Sequence, residues 1–188
     1  ATMPRVLPLV VALSLSAVPV LAAQRVETEP ARYTLSPEYR GIQLAALQTQ
    51  RKLLLSFADS MPERFYRDRA TPAQRDFAGQ LHHAVSSALF IAYGYVRSAR
   101  PPAADTAAIF NTRSGMRRYI EGSYDSLEVL LKGQSDTDRD QRFKFFNGQF
   151  MPRWQLWDAL NQHTIWTAGQ VVANFRKNGM APPSFLFF

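Results

Sequence analysis

The chain contains no cysteine, which excludes disulfides, thiolate metal ligands, a thiol nucleophile and a lipid-modified N-terminal cysteine. Histidine is nearly as scarce, with only His82, His83 and His163, so any imidazole chemistry is confined to two places in the chain. No glycine-rich segment capable of cradling a phosphate is present, and neither an internal repeat nor a low-complexity tract occurs. The charge is +7, yet the basic residues, mostly arginine, are scattered and form no stripe interleaved with exposed aromatics. Nucleic acid is therefore not an expected partner, despite the high pI.

No apolar run is long enough to span a bilayer. The longest, Val6–Val20, has 15 residues and two prolines, Pro8 and Pro19. As a helix it would reach only about 22 Å, against a hydrocarbon core of roughly 30 Å. Preceded by Arg5 and followed by Val20-Leu21-Ala22, with small residues at the −3 and −1 positions, it reads instead as a cleaved export signal over residues 1–22. The expected location is the periplasm or the exterior, with no stable membrane insertion after cleavage.

What remains has the composition of one ordinary globular domain, 46% hydrophobic and 20% charged. Residues 23–35 are polar and aperiodic, a linker or N-terminal strap, and residues 36–188 are expected to fold. Ser36-Pro37-Glu38 is a helix start, followed by an apolar stripe of Ile42, Ala46, Leu53 and Phe57, with Leu47 and Leu54 alongside, up to about Ser60. Thr71-Pro72-Ala73-Gln74 reads as a capping box opening a second helix to about Arg100, with Phe77, Leu81, Ala84, Ala88 and Ile91 inward. Residues 101–110, about 33–36 Å when extended, are long enough to cross the domain. A third helix spans about Thr112 to Lys132, with Met116, Ile120, Tyr124, Leu127 and Leu131 on one face. Glu121, Asp125 and Glu128 lie beside that face, as a solvated surface rather than a metal cluster. A fourth helix runs from near Pro152 to Gly179. Trp154, Trp157 and Trp166 are expected to pack, and Phe185–Phe188 to cap one end. The fold class is all-α, a bundle of four helices.

Three stretches resemble the DinB family, in particular its small exported members. Ala58–His83 (ADSMPERFYRDRATPAQRDFAGQLHH) follows the family's "A-x-x-MP … TP-x-x-R-x-FA-x-Q-x-x-H" signature. Phe146–Trp157 (FNGQFMPRWQLW) resembles the approach to the last helix. His163–Pro183 (HTIWTAGQVVANFRKNGMAPP) resembles "H-x-x-x-H-x-G-Q-x-V-x-Y-x-R-x-NG-x-x-PP". The resemblance implies a four-helix bundle with a long crossover between its second and third helices. It also implies a core site for a divalent metal, zinc or nickel, held by one histidine of the second helix and an H-x-x-x-H pair of the fourth. Residues four apart share a helix face, which is why both imidazoles of such a pair reach one ion.

Carried over by position, the metal ligands are His83 and His163. The family's third ligand position falls on Thr167, and Gln170 stands where a glutamine could support the site through a hydrogen bond. His82 points roughly 100° away around its helix. Two functions stay open. One is a metal-assisted enzyme of the thiol-transferase or hydrolase-like type acting on an unidentified small molecule. The other is a non-catalytic exported binding or stress-related scaffold in which His83 and His163 are polar core residues. Oligomeric state, a dimer included, is open as well. Protein recovered from an expressing host is predicted to begin at Ala23, within a residue or two, by intact mass; a full-length, membrane-held chain would contradict the signal assignment.

Overall fold

The computed structural model describes residues 27–31, 36 and 38–184. Residues 1–22, read from the sequence as an export signal, most of the expected strap and the terminal Phe185–Phe188 lie outside the described residues. The fold is mainly helical with one small sheet. In chain order the elements are β1 (Thr28–Glu29), α1 (Glu38–Ser60), α2 (Phe77–Ala92), α3 (Thr106–Asn111), α4 (Arg113–Gly133), α5 (Asp136–Asp140), β2 (Arg142–Lys144), β3 (Phe150–Pro152), α6 (Arg153–Gly169) and α7 (Val172–Lys177).

The helical core is one continuous cluster in which α1 gives Leu54 and Phe57, α2 gives Phe77, Leu81, Ala84 and Ala88, and α4 gives Met116, Ile120 and Leu127. Trp157 and Leu160 join from α6, and Phe175 from α7. The buried face of α1 is rotated from the expected stripe. Ile42 is 60% exposed, while Gln43 and Gln50 are buried. Both amides are drawn inward by partners on α6: Gln43 Nε2 donates to Trp154 O at 2.7 Å, and Gln50 Nε2 to Asn161 Oδ1 at 2.6 Å. The fully buried Tyr124 phenol completes this link by donating to Gln50 Oε1 at 3.1 Å, and burial pushes its pKa up.

Pair order fixes helix directions. Gln43–Trp154 and Gln50–Asn161 ascend together, so α1 and α6 run parallel. The Arg51–Asp125 and Asp59–Arg117 ion pairs run in opposite order, so α1 and α4 are antiparallel. The acids of α4 are each paired with a cation: Glu121 with Arg117, Asp125 with Arg51 and Glu128 with Lys132. They form a surface face, as expected.

Three boundaries depart from the sequence reading. Thr71–Gln74 is a turn closed by Gln74 N–H to Thr71 O at 3.1 Å, and α2 begins later, at Phe77. The start shifts because Asp76 outcompetes Thr71 as a cap. Its carboxylate is 8% exposed, accepts from Gly79 N at 2.7 Å and pairs with Arg67 at 2.9 Å. Tyr66 and Asp68 carbonyls then hold the amides of Ala78 and Phe77. At its far end α2 widens into a π-helical turn, Tyr93–Arg97, closed by Ser98 at φ 51°. The final helix is broken between α6 and α7, at Gln170–Val171.

The stretch after α4 holds structure that its composition did not reveal. Ser135 caps α5 in a capping box with Asp138, and β2 and β3 form a hairpin whose turn places Gly148 at φ 83°. Positive φ is readily available to glycine. Part of the strap becomes the third strand, with Thr28 opposite Phe143. Phe143, Phe145 and Leu156 form a second small apolar cluster under this sheet, against Tyr95. Trp157 packs as expected, its indole donating to Gln134 Oε1 at 2.7 Å. Trp154 meets Tyr39 edge-on. Trp166 does not pack: it is 76% exposed.

Because Asp76 is both cap and ion-pair partner, Asp76→Ala is predicted to lower stability by about 1–2 kcal/mol, with Asp76→Asn retaining most of it. Urea unfolding measures both. Reductant should leave either midpoint unchanged, as the chain has no thiol.

Candidate functional site

Helices α2 and α6 pack antiparallel, with Gln80 against Thr167 and His83 against His163. Most of the α2 face turned to the core is apolar, so these four side chains make a polar seam in an otherwise oily interface. His83 and His163 stand edge to face, ring centroids 5.5 Å apart and ring planes at 75°. Both are half-buried. The two histidines singled out by sequence position are thus brought together.

The seam has its own hydrogen-bond order. His83 Nδ1 lies 3.3 Å from Ser87 Oγ, one turn further along α2. That contact orients the ring, and among the described residues Nε2 has no hydrogen-bond partner. His163 Nε2 lies 3.4 Å from Thr167 Oγ1, one turn along α6. Its Nδ1 is buried and has no hydrogen-bond partner among the described residues. Thr167 is buried and shares the His163 face, the place that i+4 spacing assigns it.

Gln80, 1% exposed, acts as a clamp. Its Nε2 donates to Thr167 O at 3.1 Å and to Gln170 Oε1 at 3.2 Å. Gln74 Nε2 reaches Gln170 O at 2.9 Å. Together they add a side-chain donor to the Thr167 and Gln170 carbonyls, which also accept the backbone N–H groups of Gln170 and Ala173 at 3.3 Å. Gln170 therefore bonds to glutamines of the other element, with no hydrogen bond to either imidazole among the described residues. Polar residues on the α2 face were visible in the sequence, but their contacts with the end of α6 were not, because those partners lie some ninety positions apart in the chain.

His82 turns away, as the helical angle requires. It stacks on Tyr119 of α4 at 5.3 Å and 20°, with Phe110 at 5.2 Å. Burial pushes its pKa down and that of Tyr119 up to about 12.

Two imidazoles bound to one tetrahedral ion, with nitrogens about 2.0–2.1 Å from it, have ring centroids roughly 5 Å apart. The observed 5.5 Å is close to that spacing, so the pair fits two corners of a metal site. The position that the resemblance assigns to a third ligand holds a threonine hydroxyl, a weak donor to a divalent transition metal. Among the described residues, no group of three or more His, Asp or Glu side chains is placed to hold an ion.

Both site imidazoles bind protons more weakly than a free imidazole. The pKa of His83 is lowered first by burial, then by the charges of Arg75, His163 and His82, and that of His163 by burial. With His82, all three histidines bind protons more weakly folded than unfolded. The unfolded chain takes up more protons as pH falls through about 6.5, so stability is full above that value and declines below it. In chelator-treated buffer the urea midpoint is predicted to fall from pH 7.5 to pH 5, and His83→Gln to flatten part of that decline.

No family model and no curated protein matches the chain.

Proposed function

We propose that this protein is an exported helical bundle of the DinB type whose His83–His163 pair binds a divalent transition metal, zinc or nickel, as a two-histidine site. The observation that carries the reading is the mutual approach of these two imidazoles across the α2–α6 seam. The bundle reading draws support from the helix directions. α1 is parallel to α6 and antiparallel to α4, and α2 is antiparallel to α6, so α2 and α4 run the same way. Joining two parallel neighbours requires a chain that returns the length of the domain, the role of the segment 98–112. Export rests on the Val6–Val20 run and the small residues before Ala23.

A bound ion would supply Lewis acidity and a lowered pKa for a coordinated water or small thiol, the basis of hydrolase-like or thiol-transfer chemistry. The chain's own contribution is to hold both rings. Ser87 orients His83, and the Gln80 clamp fixes the end of α6 that carries Thr167. Outer partners of this sort commonly alter metal affinity 10–100-fold.

A second reading, a non-catalytic scaffold without metal, is favoured by one contact: Thr167 Oγ1 occupies the third corner and faces the Nε2 of His163. Thr167→His separates the two. With the pair as metal ligands, the substitution completes three imidazoles, and zinc affinity by calorimetry should rise at least about tenfold, roughly 1.4 kcal/mol. Zinc should also raise the variant's melting temperature more than the parent's, since a ligand of the folded state stabilises it by mass action. Parent and His83→Ala binding zinc equally would defeat the two-histidine assignment. Absence of binding by parent and Thr167→His alike would favour the scaffold.

A further inference from the structure

A cavity of about 380 Å³ lies away from the histidine seam, between the end of α2, the segment 102–109 and the outer face of α4. Its volume falls within the roughly 300–1,000 Å³ range of small-molecule sites. The cause is local. At Gly115 the backbones of α3 and α4 touch, since a Cβ there would stand 2.3 Å from Ala108 O. Two helical turns further along the same face of α4, a Cβ on Gly122 would meet nothing within 4 Å. The two segments therefore diverge like a wedge, and Gly122 leaves the opening unfilled.

The walls divide by chemistry. Leu89, Ile109, Pro102 and neighbouring alanines make one side apolar, and Ser123, Ser126 and Arg118 of α4 line the other. Arg118 differs from the other cations of its helix. Arg113 donates to Met61 O, Arg117 pairs with Asp59 and Glu121, and Lys132 pairs with Glu128. Among the described residues, Arg118 has no hydrogen-bond or ion-pair partner. Asp105 is also in the lining, but its carboxylate is engaged in capping α3 through Ala108 N–H at 3.1 Å. Its fixed negative charge disfavours a multiply charged anion in so small a space.

We infer that this cavity is a binding site for a small amphiphilic monocarboxylate, its head group on Arg118 and its apolar tail against Leu89 and Ile109. A guanidinium matches a carboxylate bidentately, and the apolar wall gains from covering a hydrocarbon tail. The site is separate from the metal proposal and uses neither His83 nor His163.

The test titrates the full chain with decanoate below its micellar concentration, with decanol and decylamine as neutral and cationic comparators, by calorimetry and melting temperature. Saturable one-to-one binding of decanoate is expected, at least tenfold tighter than decanol. Arg118→Gln should remove that preference for the acid. Gly122→Met should fill the wedge and abolish binding without lowering the melting temperature, since it places its side chain in open space and removes a helix glycine. His83→Ala should leave decanoate binding unchanged. Absence of saturable binding to the parent, equal binding of decanol and decanoate, or an Arg118→Gln variant with parental affinity would each overturn the assignment. Should Gly122→Met fail to fold, the Arg118→Gln comparison still decides.

Discussion

The antiparallel contact of α2 on α6 is the constraint on which the site and much of the domain depend. An apolar interface would have tolerated sliding, because oily side chains pack in more than one register. Gln80, His83, His163 and Thr167 remove that freedom. A buried amide or imidazole costs on the order of 1–3 kcal/mol when left without a partner. In the observed alignment Gln80 donates to Thr167 O, and His83 stands opposite His163. The register that gives the glutamine amide N–H its acceptors is also the one in which the two imidazoles meet.

A similar device operates on the other side of α6. Gln43 and Gln50 are buried on a helix face that the apolar pattern alone assigns to Ile42. With Tyr124 and Asn161 they link α1, α4 and α6 through hydrogen bonds between side chains. Such networks specify alignment strongly because breaking one member leaves the others unsatisfied in a low-dielectric interior. The domain thus places amides between helices at both faces of α6, while its apolar residues supply the bulk of the core.

This explains which features could be read from the residue order. Helices α1 and α4 were legible because the start of α1 carries a local signal, Ser36-Pro37-Glu38, and the apolar residues of both recur every three to four positions. The meeting of His83 and His163 was legible through positional resemblance and the i, i+4 rule. Features set by distant partners were not. Asp76 replaces Thr71 as the cap because the carbonyls of Tyr66 and Asp68 and the side chain of Arg67 converge there. The strand pairing of Thr28 with Phe143 joins residues more than a hundred positions apart. Trp166, read as a packing residue, faces outward because the buried stripe of α6 passes through Thr164, Thr167 and Ala168 instead.

The break at Gln170–Val171 divides the last helical stretch into parts with different allegiances. α6 belongs to the seam with α2. The polar contacts of α7 go instead to the loop before α2, where Asn174 Nδ2 donates to Asp68 O at 2.8 Å and Lys177 Nζ to Arg69 O at 2.7 Å, while Phe175 meets Phe77 at the start of α2 edge-on at 5.9 Å. The loop and α7 thereby form a cooperative unit assembled from segments far apart in the chain. Opening of that unit would release the amides of Phe77 and Ala78 together with those of α7, leaving the histidine seam behind it closed. The hinge between the two regimes is the turn that Gln74 and Gln80 hold, so the seam's clamp is also the boundary at which local unfolding would stop.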